Sequence, residues 1–325
     1  MSSSLVLTYP QEPEKRAEWI VSQRPPRRQL DPSKPYAFFV EEELSSSGEV
    51  VSVATIFLTN RECPWRCVMC DLWKNTLTES VRPGNIPQQI EYALKRLPAA
   101  RQIKLYNSGS FFDVKAIPPD DYSAIAGLTK GFDRIIVECH PSLVGSRCFA
   151  FREMLGQPLE VAMGLETAHP TVLERLNKGM TLETFAQSAE LLRTHDIDLR
   201  AFVLVQPPFM RTYEAVEWAQ RSLDFAFDCG AIAVSLIPTR GGNGAMEALT
   251  QMDEFVPPAL ATTDAAVEYG VVLQRGRVFA DLWDLRQSSP RCVACYPQRI
   301  ERLQAINLKQ LIPERIECAM CGGLS

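Results

Sequence analysis

Short aliphatic and β-branched runs alternate with longer stretches whose apolar residues recur at helical spacing, and the alternation repeats six times. The runs predicted as strands are residues 51–59, 102–106, 134–138, 159–165, 199–205 and 232–237. Residues 87–97, 182–194 and 213–227 are among the amphipathic stretches between them, predicted as helices. An apolar strand followed by a helix, six times over, is the mark of parallel βαβ units. Six units predict an α/β fold, a partial (β/α)6 barrel, because a closed eightfold barrel takes about 250 residues and eight strands. A doubly wound open sheet is the competing architecture. Residues 1–46 are rich in Pro, Arg and Glu and predict an extended N-terminal extension with a short helix near 14–21. The barrel occupies 47–270, and the alternation breaks down in a cysteine-rich C-terminal segment, 271–325.

A parallel barrel presents its chemistry on the loops that follow the C-terminal ends of its strands. The polar residues there are Asn107, Ser108, Gly109 and Ser110 after the second strand, and Glu138 and His140 at the end of the third. Glu166 follows the fourth, Gln206 the fifth, and Pro238 to Asn243 the sixth.

Composition narrows the class. The chain is 46% hydrophobic and 22% charged with net charge −5, so no global basic field is available to grip nucleic acid. The segment after Gly270 differs, with eight Lys/Arg against five Asp/Glu. No run approaches the roughly 18 apolar residues of a membrane span, and the start lacks a secretory pattern. A cytoplasmic location is expected, and in a reducing compartment clustered cysteines are metal ligands or catalytic thiols more often than disulfides. Seven of the ten cysteines fall in two groups; Cys139, Cys148 and Cys229 are isolated and read as small buried hydrophobes.

The first group, Cys63, Cys67 and Cys70, has the spacing C-x3-C-x2-C directly after the first predicted strand. A 4Fe–4S cube needs four thiolates for full ligation, and three leave one iron free to chelate something else. This loop resembles the signature of the radical S-adenosylmethionine (SAM) superfamily, although Met69 stands where an aromatic residue often precedes the last cysteine. Further short motifs resemble the archaeosine-synthase-type members, relatives of the elongator catalytic subunit. They are Leu105 to Asp113, Gly164 to Thr167 with Asn177 to Thr181, Gln206 to Phe209, and Pro238-Thr239. The resemblance implies the partial barrel already reached from periodicity. It also implies a 4Fe–4S cluster, SAM as cofactor, an electron donor such as flavodoxin or ferredoxin, and a modified deazaguanine nucleoside of tRNA as substrate.

Within that frame the strand-end residues take expected roles. Asn107, Ser108 and Ser110 supply short hydrogen-bonding groups for the SAM ammonium, and Gly109 lets backbone approach it. Glu166 suits ribose hydroxyls or the same ammonium, Lys178 can neutralise the SAM carboxylate, and Arg200 is a second carboxylate anchor if its face looks inward. Glu138, His140 and Gln206 are expected in the substrate pocket. His140 replaces the arginine of the Glu-x-Arg-Pro motif, exchanging a permanent cation for a group that ordinarily titrates near neutrality.

The second group, Cys292, Cys295, Cys318 and Cys321, forms C-x2-C-x22-C-x2-C, two pairs that predict one four-thiolate site. Zinc is favoured over an auxiliary 4Fe–4S cluster, though both accept four thiolates. Residues 297–308 between the pairs read as a helix with Ile300, Leu303 and Ile306 on one face. Three functions compete: radical chemistry on an RNA base, radical chemistry on a small metabolite or peptide, and a non-catalytic metal-binding interaction protein.

Overall fold

In a computed structural model the described residues are 8–283, 285 and 292–320. Eight strands lie side by side in chain order: β1 (Ala37–Leu44), β2 (Val50–Phe57), β3 (Gln102–Tyr106), β4 (Arg134–Cys139), β5 (Leu159–Glu166), β6 (Asp198–Val205), β7 (Ala233–Pro238) and β8 (Arg277–Ala280). β1 runs antiparallel to β2, and every later neighbour is parallel. Strictly sequential order excludes the doubly wound alternative, which must reverse direction at a switch point. β2 to β7 are the six predicted strands. Helices α2 (Asn85–Leu94), α3 (Tyr122–Thr129), α4 (Ser146–Met154), α6 (Leu182–Thr194) and α7 (Ala215–Asp228) connect them, with a short α5 (Pro170–Arg175) before α6. α8 (Ala245–Gln251) and α9 (Leu260–Leu273) lead from β7 to β8, and α1 (Pro13–Ser22) precedes the sheet. No helix among the described residues is long and apolar enough to cross a membrane.

Two strands were not expected. β1 lies in the supposed N-terminal extension, and β8 in the C-terminal segment. Phe39, Glu41 and Glu43 of β1 share one face, so its inward side is charged and does not read as a core strand. β8 has only four residues.

Curling of the sheet is visible in which side chains meet. Arg200 of β6 donates to Glu43 of β1 at 2.5 Å and to Glu160 of β5 at 2.6 Å. β1 and β6 are five places apart in the sheet, so this contact closes only across an enclosed interior. Arg277 of β8 donates to Leu44 O of β1 at 3.0 Å, joining the two edges without a ladder. Lys104 reaches Glu41 and Glu43, and Arg134 pairs with Glu160 and Asp198. The strand-start end of the half-barrel is thus floored by paired charges, which buried ions require. Burial alone would push the Glu43 carboxyl up, but Arg200 and Lys104 outweigh it and hold it below the usual carboxylate range. The outer face of the sheet buries the apolar core, with Ile56, Ile103, Ile135, Val161, Val203 and Val234 packed against the helices.

The C-terminal helix α10 (Tyr296–Lys309) continues this closure. Its Leu303 and Ile306 are fully buried in the core. Asn307 accepts from Ala280 N and donates to Ala280 O, both at 2.8 Å. Gln310 does the same at Val278, at 2.7 and 2.8 Å. Two side-chain amides therefore satisfy the free edge of β8 where a ninth strand would otherwise pair.

Candidate functional site

The loop after β2 carries Cys63, Cys67 and Cys70 and is braced from three directions. Glu62 is gripped by Arg24, Arg27 and Arg66, so the N-terminal Arg/Pro stretch is a clamp on the base of the loop. Asn243, after β7, donates to Val68 O at 2.7 Å and Cys70 O at 3.1 Å. Asn177 donates to Arg66 O, and Val68 N donates to Leu176 O, both at 3.0 Å. Trp65 stacks on His140 at 3.6 Å with planes 9° apart. Gly179 has φ +72°, and a Cβ there would stand 2.9 Å from the Trp65 ring. That position needs glycine on both counts.

Three polar residues at strand ends adopt left-handed backbone: Ser108 (φ +54°), Glu166 (φ +65°) and Gln206 (φ +53°). Such conformations are costly for side-chain-bearing residues and gather at functional sites. At Glu166 the β5–β6 register shifts, which turns its carboxylate toward Lys178 Nζ at 2.6 Å. Burial works against the Lys178 charge, but Glu166 and the neighbouring Cys67 thiol outweigh it and hold the ammonium protonated. Burial pushes all three loop thiols up to about 12, with Lys178 as an opposing positive charge for Cys63 and Cys67. Bound metal would deprotonate them outright.

Several atoms in this region lack partners. Asn107 is 0% exposed, yet neither its Oδ1 nor its Nδ2 has a hydrogen-bond partner. Thr59 Oγ1, Asn60 Oδ1 and Gln206 Oε1 are buried and unsatisfied in the same way. These residues follow β2, β3 and β6, all at the strand-end rim. Unsatisfied buried polar atoms are rare in native proteins and point to a missing ligand or water.

The three cysteines, Asn107 to Ser110, Glu166 and Lys178 lie on adjoining loops. Arg200 is a correction. It is spent on Glu43 and Glu160 in the charged floor and offers no free guanidinium to a carboxylate ligand. Glu138 and His140 both support neighbouring loops. The Glu138 carboxylate accepts from Asn107 N; burial raises it to about 7, against the lowering influence of the Asn107, Ser108 and Gly109 N–H groups. His140 Nδ1 accepts from Ser142 N at 3.2 Å, which leaves its proton on Nε2 for Lys178 O at 3.0 Å. Burial, then Lys178, lowers it to about 3, so it is neutral near pH 7 instead of titrating there. Gln206 is half engaged, its Nε2 donating to Val256 O at 2.7 Å. Ser110 accepts from His140 N at 3.2 Å, and Ser108 bonds Tyr36 at 2.9 Å.

No family model matches the chain. It is 25% identical over 229 residues to archaeosine synthase subunit beta of Methanosarcina acetivorans, covering 66% of this chain and 65% of that one. An uncharacterized protein of Methanocaldococcus jannaschii is 24% identical over 250 residues, 72% of this chain and 68% of that one. The chain therefore spans about two thirds of the length of these relatives. Coproporphyrinogen III oxidase of Escherichia coli, a radical SAM enzyme, shares 13% identity over 80% of this chain and 55% of that one, at TM-score 0.45. The likeness to archaeosine synthase subunit beta and the three-cysteine loop following the first parallel strand of a half-barrel point the same way. The chain resembles members of the radical SAM superfamily.

The three-cysteine loop differs from the tail cysteines in spacing. Among the described residues, one group of three has ligand atoms all within 4.8 Å of each other: Cys292, Cys295 and Cys318. The Cys292 and Cys318 sulfurs are 3.6 Å apart. Thiolates around a single zinc, with bonds of about 2.3 Å, stand about 3.8 Å apart, so the tail is gathered at single-ion scale. The loop thiols are not so tightly gathered. Cys321, the expected fourth tail ligand, lies outside the described residues.

Proposed function

We propose that this chain is a radical SAM enzyme that holds a 4Fe–4S cluster on Cys63, Cys67 and Cys70 and acts on a tRNA nucleoside of the deazaguanine type. The bound cluster would supply one electron to cleave SAM into methionine and a 5′-deoxyadenosyl radical. The observation that carries the reading is the coincidence of three thiols and the unpartnered Asn107 amide on adjoining strand-end loops. Asn107 can meet the SAM amino acid moiety with one donor and one acceptor. Lys178 and Glu166 present paired charges beside Cys67, able to orient carboxylate and ammonium or hydroxyl groups. The neutral, stacked His140 holds Trp65, and with it the span between Cys63 and Cys67. The tRNA part rests on the resemblance to archaeosine synthase subunit beta. The tail site is read as structural zinc, and the electron donor as a flavodoxin or ferredoxin.

The test is anaerobic reconstitution with iron and sulfide, followed by dithionite and SAM, with and without bulk tRNA. Formation of 5′-deoxyadenosine supports the reading, and a new or lost tRNA nucleoside supports its substrate. SAM cleavage that ignores tRNA and tracks a small metabolite or peptide moves the substrate to that class. No cleavage by iron-loaded protein sinks the enzymatic reading.

A further inference from the structure

Cys292 and Cys295 stand at the start of α10, whereas Cys318 lies beyond its far end, so something must bring the two parts of the tail site together. Arg299 is one helical turn after Cys295, and its backbone N donates to Cys295 O at 3.0 Å. Helical side chains lean toward the N-terminus, and positions four apart are neighbours, so this spacing lays the guanidinium over the Cys295 thiol. There Nε donates to Cys295 Sγ at 3.4 Å. Nη1 donates to Asp264 Oδ2 of α9 at 2.8 Å, and Nη2 to Ile316 O, just before Cys318, at 3.2 Å. Arg299 and Asp264 are both buried. One planar fork of donors thus touches a thiol of the first pair, the approach to the second and the flank of the half-barrel. A lysine ammonium has no such rigid spread. Thiolates around a divalent ion carry more negative charge than the ion neutralises, and a cationic N–H donor draws part of it off. Outer-shell donors of this kind orient metal ligands.

We propose that Arg299 is the outer-shell partner of a divalent-metal site on Cys292, Cys295 and Cys318. Its guanidinium holds the Cys295 thiolate toward the ion, draws in the segment leading to Cys318 and fastens both to α9. This rests on the reading of the tail thiols as metal ligands. Arg299 does not touch the ion and is a positioning residue.

The experiment uses the full-length chain with Cys63, Cys67 and Cys70 replaced by Ala, so that the loop thiols take no metal. Zinc is the probe for affinity, by competition with a chelator, and cobalt(II) the probe for absorption. Arg299→Met, Arg299→Lys and Asp264→Asn are compared with that parent. Arg299→Met should weaken zinc binding about 10–100-fold. It should also move the thiolate-to-cobalt charge-transfer band to longer wavelength, because losing the hydrogen bond raises the energy of the sulfur electrons. Arg299→Lys keeps the charge, but its one ammonium goes to the Asp264 carboxylate, the stronger acceptor, so the band should move as in Arg299→Met. Asp264→Asn leaves the donor on the thiolate, so the band should stay in place and zinc binding should fall less. An unmoved band in Arg299→Met, or the same affinity loss and band in Asp264→Asn, overturns the proposal and reduces Arg299 to an ion pair with α9. Should Arg299→Met fail to fold, Arg299→Lys decides, and an unmoved band there overturns the proposal. A parent that binds neither zinc nor cobalt overturns the metal reading of the tail, and the role of Arg299 falls with it.

Discussion

Cys63, Cys67 and Cys70 sit on an irregular loop at the rim of the half-barrel, whereas Cys292, Cys295 and Cys318 bracket a regular helix on its flank. The surroundings differ as much as the spacing. Around the loop, backbone is left-handed at Ser108, Glu166 and Gln206, and polar atoms of Asn60, Asn107 and Gln206 have no partner. Around the tail, charges are matched: Arg299 donates to Asp264 at 2.8 Å and to Cys295 Sγ at 3.4 Å, and Arg302 donates to Glu268 at 2.6 Å. Arg299 and Arg302 also tie to carbonyls of Ile316, Pro313 and Glu314. One region leaves a whole side-chain amide, that of Asn107, without partners; in the other Thr263 Oγ1 and Asp264 Oδ1 also make no hydrogen bond, but Arg299, Arg302 and Arg315 all fasten the tail to α9. The two sets of thiols therefore sit in different surroundings, which would let one set serve reactivity and the other architecture.

The largest expected effect separates the clusters outright. Replacing Cys63, Cys67 and Cys70 together by Ala should abolish SAM cleavage and cluster absorbance while about one metal ion per chain remains. Elemental analysis of that variant identifies the ion. Zinc supports the single-ion tail, iron with sulfide makes the tail a second cluster, and no metal removes the tail site altogether.

Next comes the tail itself. Cys318→Ser should release the tail metal, leave the loop cluster in place, and loosen α10 from β8. The direct measure is amide exchange at Val278 and Ala280, whose N–H groups are held by Gln310 and Asn307. An increase of about tenfold, equivalent to about 1.4 kcal/mol of local protection, is expected. If those amides stay protected, Leu303 and Ile306 anchor the helix without metal, and the contrast between the two regions weakens.

A smaller effect isolates the edge contacts from the metal. Asn307→Ala or Gln310→Ala leaves one N–H and one C=O of β8 without a partner, at a cost of about 1–2 kcal/mol each in urea unfolding. Metal content should not change. Loss of metal along with stability would show that the helix position and the coordination form a single unit.

The six inner strands and the amphipathic helices were legible because strand and helix periods differ along the chain. The same logic hid β1, whose Glu41 and Glu43 face an interior that is charged at its floor. Arg200 was misplaced for a related reason: strand periodicity puts it on one face with Gln206, but cannot tell the floor of a barrel from its rim. The cysteine loop was legible from spacing alone. Its braces were not, because Arg24, Arg27 and Asn243 reach it from 35 or more residues away. Asn243 was at least visible as a polar residue at the end of a strand loop.

The smallest expected effect concerns His140, which motif comparison makes an altered substrate contact and the structure makes a neutral prop for Trp65. Its folded value, lowered to about 3 by burial and then by Lys178, lies below the ordinary 6.5. The unfolded chain therefore takes up a proton below pH 6.5 while the folded chain does not, so His140 costs stability as pH falls from 6.5 toward 3. The slope is about 1 kcal/mol per pH unit just below 6.5. His140→Gln keeps a donor for Lys178 O but cannot titrate. In metal-free protein, the urea stability of parent relative to His140→Gln should fall by about 1 kcal/mol between pH 6.5 and 5.5. Comparing the two chains cancels every other titration they share, including that of Glu138, whose raised value acts with the opposite sign. A difference that stays flat across that range would mean His140 titrates alike in folded and unfolded chains. It would then be exposed to solvent and free to meet a ligand, and the loop cluster would have one more reactive group than its surroundings now display.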